Sequence, residues 1–175
     1  LDMMNIYFHI LFNEDKRVND LYNLFVEDNP KSSAGWAGRG AFLYHQGKFG
    51  PALESFELAL GRNGQNVLAL GYKALTQQRL DSPTKKESFR VFATTDARND
   101  AGFLSKGEIY DVMGDFERAR AYYSKVLTTN PRNLAAAYLK RESFIRENKF
   151  ALARKHEKKL ESTGFFPEGF DKLPD

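Results

Sequence analysis

The chain has 175 residues, 42% hydrophobic and 28% charged, with a formal net charge of +3, a pI of about 9.0 and no cysteine. That length supports one domain with a real core, and six prolines among charges of mixed sign argue against bulk disorder. Disulfides, thiol catalysis and cysteine metal sites are excluded, and so small a net charge does not by itself call for a nucleic acid or membrane partner.

The opening LDMMNIYFHILF is apolar but too short to span a bilayer. It also lacks the basic start and small-residue cleavage site of a signal peptide. Beginning at Leu1, the chain reads as a piece or a processed form of a longer one. NEDKRVNDLYNLFVEDNP follows, helical in pattern and closed by Asn29-Pro30. SAGWAGRGAFLYHQ then leads into GKFGPALESFELAL at 47–60.

That phrase returns 67 residues later as GDFERARAYYSKVL at 114–127, preceded by AGFLSKGEIYDVM. Gly47 and Gly114, Phe49 and Phe116, Ala52 and Ala119, Phe56 and Tyr123 coincide. So do Trp36 and Phe103, Gly40 and Gly107, Leu43 and Tyr110 upstream. The gap holds one worn copy, so the period is near 34. In that copy Leu70 and Ala74 replace Trp36 and Gly40, and Phe92 takes the place of Phe56. About two extra residues and Pro83 sit in its turn, with a shortened second helix. A further copy follows Pro131, with Ala137, Phe144, Asn148, Phe150 and Ala153 in step. It departs at Arg141, where a small residue is expected, and at Glu157, where an aromatic is expected. An earlier copy places Tyr22 before Phe56 by 34 residues.

Each place has a physical reading. Gly47, Gly114 and Asn148 end a helix where the backbone turns left-handed, and Asp81 and Asn13 are poorer versions of the same stop. Ala52, Ala119 and Ala153 are small because a second helix approaches there. Phe56 and Tyr123 lie one turn further along the same face, and Ala59 and Val126 continue it. Each unit is therefore helix, tight turn, helix, and a stack of such hairpins buries what one alone cannot.

The pattern resembles the tetratricopeptide repeat (TPR) family. Other helical hairpin arrays give amphipathic helices too, but not this Gly/Ala/aromatic spacing. The resemblance implies an all-α, right-handed superhelix of about five units, at 1–32, 33–66, 67–99, 100–133 and 134–164, then an aromatic tail at 165–175. It implies a scaffold or adaptor that binds a protein or peptide. In the family, the first helix of each unit lines the concave surface. Carried onto this chain, the groove residues are Ala37, Ala41, Tyr44 and His45, then Leu75, Gln78 and Arg79, then Leu104, Glu108 and Asp111, then Tyr138, Glu142 and Arg146. Ala37 and Ala41 stand where Lys and Asn would be needed to clamp a chaperone's terminal carboxylate, so that subgroup is disfavoured.

No phosphate loop, nucleophile elbow or dinucleotide fingerprint is present. His9, His45 and His156 have no partners at metal-ligand spacing. Glu108 and Asp111 are a solvated pair on a helix rather than a catalytic one. The expectation is no enzyme, no cofactor, no metal, no membrane span within these residues and no nucleic acid partner. Residues 132–159 are rich in Lys and Arg, a basic end suited first to solvation and second to an acidic partner. Phe165, Phe166 and Phe170 are too apolar for a free tail, and Pro167 and Gly169 forbid a helix there. The apolar ends make self-association the main alternative function, with a nucleic-acid-binding helical repeat a lesser one.

Overall fold

The computed structural model describes residues 15–161; the apolar opening, Asn13 and the aromatic tail at 165–175 lie outside the described residues. Among the described residues there are helices and turns but no strand. The chain divides into two compact units, 1–96 and 97–175. The first holds α1 (Asp15–Asp28), α2 (Ser33–His45), α3 (Phe49–Arg62), α4 (Val67–Arg79) and α5 (Lys85–Thr94). The second holds α6 (Asp100–Val112), α7 (Phe116–Thr129), α8 (Leu134–Arg146) and α9 (Phe150–Glu161). Within each unit consecutive helices pack together, and first helices also touch: α2 on α4, and α6 on α8.

The hairpins α2–α3, α4–α5, α6–α7 and α8–α9 turn in one way. Their turn residues are Gly47 (φ 74°), Asp81 (φ 51°), Gly114 (φ 81°) and Asn148 (φ 59°). At each, its N–H bonds the carbonyl three residues back, and the next N–H bonds the carbonyl five back. Lys48 N to Leu43 O and Asp115 N to Tyr110 O, both 2.9 Å, are two of these. This left-handed cap satisfies carbonyls that the helix end would otherwise leave open. Asp81 is thus the same stop as Gly47 in spite of its side chain. Behind it, α5 has 10 residues where α3 and α7 have 14.

A second periodic device starts the first helices. Ser32, Asn66, Asn99 and Asn133 each accept a hydrogen bond from the backbone N–H three residues on, at Gly35, Ala69, Gly102 and Ala136. These are N-caps, each worth about 1 kcal/mol. A third device links hairpins. Arg39 Nε donates to Asn23 (3.0 Å), Lys73 pairs with Glu57 (3.4 Å) and Lys140 donates to Ser124 (2.8 Å). In each case the partner lies sixteen residues earlier, on the preceding second helix.

The core sits at the hairpin crossings. Ala52, Phe56 and Ala59 of α3 are wholly buried, as are Ala119, Tyr123 and Val126 of α7. Phe92 of α5 is 1% exposed, so the worn hairpin keeps its aromatic. A Cβ added to Gly40 or Gly107 would come under 3.0 Å from ring carbons of Phe56 or Tyr123. The missing side chain is what lets the ring lie on the helix backbone. A buried ring cannot swing clear, so Gly107→Ala should cost about 1–3 kcal/mol by overpacking. Gly61, inside α3, has nothing within 4 Å of an added Cβ. Gly61→Ala should instead gain up to about 1 kcal/mol from the entropy of the unfolded chain. Urea unfolding of both variants checks the pair; equal effects would contradict the notch.

Candidate functional site

The groove residues expected from sequence fall into three environments. Ala37, Ala41, Tyr44, Leu75 and Asp111 are buried. Leu104, Glu108, Tyr138 and Glu142 are half-buried, and His45, Gln78, Arg79 and Arg146 are exposed. In the first unit, Ala37 and Leu75 pack into the protein, leaving His45, Gln78 and Arg79 as the side chains that meet solvent.

Beneath those three lies an aromatic cluster. Tyr44 touches Tyr72 edge-on at 5.2 Å between ring centroids and contacts His45 and Phe49 at 5.6 and 5.5 Å. His45 Nε2 lies 2.7 Å from the Tyr72 hydroxyl, joining the end of α2 to the middle of α4. Arg79 Nε donates to the Tyr44 hydroxyl at 3.5 Å in the reverse direction, from α4 to α2.

In the second unit the inner residues are acid-rich and largely paired. Asp111 on α6 forms an ion pair with Arg146 on α8. Glu142 holds Arg141 at 2.6 Å, and Arg120 of α7 meets Glu147 at 2.6 Å while lying over the Phe144 ring. Burial pushes the Asp111 carboxyl above its ordinary value of 3.8, against the opposing pull of Arg146, Ser143 and Arg120. Burial wins because Arg146 is half in water, with its side chain 51% exposed, so its charge is partly solvated. Asp111 and Arg146 therefore join two first helices to each other, a pairing that residue-by-residue reading of the face does not reveal. Among the described residues no group of His, Asp and Glu could hold a metal ion, and no helix is long and apolar enough to cross a membrane.

The tetratricopeptide repeat model matches residues 102–133, the α6–α7 hairpin with the Gly107–Tyr123 crossing. This hairpin is a tetratricopeptide repeat. Similar solved structures share the fold at low identity. A tetratricopeptide repeat protein from Parabacteroides merdae ATCC 43184 superposes with a TM-score of 0.51 at 13% identity, over 90% of this chain and 62% of that one. This chain thus spans less than two thirds of that protein. PilW, a widely conserved type IV pilus biogenesis factor, gives 0.51 at 18% identity, over 94% and 77%. MamA gives 0.50 at 14% identity, over 95% and 99%. No curated protein matches the sequence.

The last hairpin departs from the repeat pattern in a compensated way. Arg141 on α8 occupies the place of Gly107, and Glu157 on α9 the place of Tyr123. The two side chains meet at 3.5 Å, 5% and 8% exposed. The notch-and-ring contact has become a buried ion pair at the same crossing. Sequence reading finds each departure separately; their shared offset of sixteen, the same as from Gly107 to Tyr123, is the signal that pairs them.

Two outcomes follow for solution measurements. Arg141→Met strands the buried Glu157 carboxylate and should cost about 3–5 kcal/mol, whereas Glu157→Gln leaves Arg141 paired with Glu142 and should cost less. The double exchange Arg141→Gly with Glu157→Tyr restores the other hairpin's contact and should recover most of that loss in urea unfolding. For Asp111, a raised folded pKa means the native state binds the proton more tightly than the unfolded chain. Its contribution to stability therefore falls as pH rises from about 3.8 through the folded value. Asp111→Asn should remove that fall and be neutral or stabilising at pH 7, which melting temperatures across the acidic range would show.

Proposed function

We propose that this chain is a protein-interaction scaffold that binds a peptide or partner protein through the faces of its first helices. The observation that carries the reading is the surface of the packed pair α6 and α8. It presents half-buried Leu104 and Tyr138 beside half-buried Glu108 and Glu142. Apolar anchors within a polar rim suit an extended segment or an amphipathic helix. The division into five units with a separate tail belongs to the same proposal, as does the absence of catalysis.

A second reading is self-association. Phe150 and Leu152, at the start of the last described helix, are each 46% exposed. Concentration-dependent size in light scattering, lost on Phe150→Ser with Leu152→Ser, supports it.

The groove reading is tested by photo-crosslinking. Benzoylphenylalanine placed at Leu104 or Tyr138 should trap a partner from the native source, while the same group at exposed Glu54 or Glu117 on second helices should not. Adducts formed only from the second helices would show that binding uses the opposite face.

A further inference from the structure

The inner helices of the first unit differ from those of the second in one respect that packing does not require. SAGWAGRGAFLYH and VLALGYKALTQQR, the whole of α2 and α4, contain neither aspartate nor glutamate. In the second unit α6 and α8 carry Asp100, Glu108, Asp111 and Glu142. Of the cations on α2 and α4, Arg39 and Lys73 are spent on Asn23, Ser55 and Glu57. Arg79 has a different situation. It is exposed, it donates to the phenol oxygen of Tyr44, and among the described residues no carboxylate forms an ion pair with it. Asp81, two residues on, is engaged with Lys85.

We propose that the exposed face formed by His45, Gln78 and Arg79, over the buried Tyr44 ring, takes an acidic, extended peptide segment of a partner protein. The proposal rests on the scaffold reading above and names the chemistry of its ligand. Tyr44 accepts from Arg79 Nε, which leaves the guanidinium edge with two terminal nitrogens toward solvent, the fork that matches a carboxylate. Gln78, next to it, adds an exposed amide donor. The phenol and imidazole below are locked by rings at 5.2–5.6 Å, so the charged group sits on a rigid floor. Basic side chains at the C-terminal ends of α2 and α4 also suit the helix dipoles. That accounts for His45 and Arg79, but not for the lack of any acid along both helices. A nucleic acid fits less well, because the unit's aromatics are stacked on one another instead of open to bases, and the exposed cations are few.

The test is selection from a random-peptide display library on the full chain at physiological salt. The expected result is enrichment of peptides rich in Asp and Glu. Their affinity should fall about tenfold with Arg79→Gln, the scale of one charge-assisted contact, and fall also with Gln78→Glu, which leaves Arg79 in place. Arg90→Gln, an exposed arginine on α5 paired with Glu87, should leave affinity unchanged. Both test positions are exposed, and unchanged melting curves confirm that the variants fold. Enrichment of neutral or basic peptides overturns the proposal. So does an acidic peptide indifferent to Arg79→Gln and Gln78→Glu, or a single-stranded oligonucleotide that binds in place of peptide and is lost with Arg79→Gln. Failure to enrich any peptide removes the scaffold reading itself, a result distinct from enrichment of the wrong chemistry.

Discussion

Two helices can cross closely only where one of them gives up a side chain, and that constraint organises this protein. At Gly40 and Gly107 the helix backbone itself is the floor on which Phe56 and Tyr123 lie. The rest follows from keeping that contact in place. The left-handed turns at Gly47 and Gly114 return the second helix onto the first, and Ala52 and Ala119 keep the returning helix close. The N-caps and the bonds from Arg39, Lys73 and Lys140 then join one hairpin to the one before. Each hairpin buries too little alone, so the cross-links matter as much as the crossings.

The last hairpin shows that the crossing is a geometric requirement and not a chemical one. Arg141 and Glu157 fill the same space with opposite charges. Such a pair is a poor source of stability, since desolvation offsets much of the attraction. It is least tolerant of losing Arg141, which would leave Glu157 buried and unpaired, whereas Arg141 keeps Glu142 when Glu157 is lost. A glycine notch tolerates any ring; an arginine there requires an acid opposite.

The hairpins were legible because their signals are local and repeated. Gly47 with Gly114, and Phe56 with Tyr123, name turns and cores without reference to distant residues. Asp81 was legible as a stop because position, not residue type, carried the reading. What stayed hidden depends on two residues meeting across helices. The Arg141–Glu157 pair, the Asp111–Arg146 pair and the basic ladder are each made of residues that look ordinary singly. The ladder left a trace in Arg39, Lys73 and Lys140, at matching places of their repeats, which only the bonding pattern makes meaningful. The expected groove residues were the least legible part. Family spacing places Ala37, Leu75 and Asp111 on the inner helices, but spacing alone does not say that neighbouring side chains bury them.

The central claim, that rings seated on helix backbone hold the hairpins, is open to one direct measurement. Proton NMR of the folded chain reports the α-protons of Gly40 and Gly107 and their contacts. Seating predicts upfield ring-current shifts at both glycines, with nuclear Overhauser contacts to the Phe56 and Tyr123 rings respectively. Glycine α-protons at ordinary helical shifts, with no contact to either ring, would contradict it.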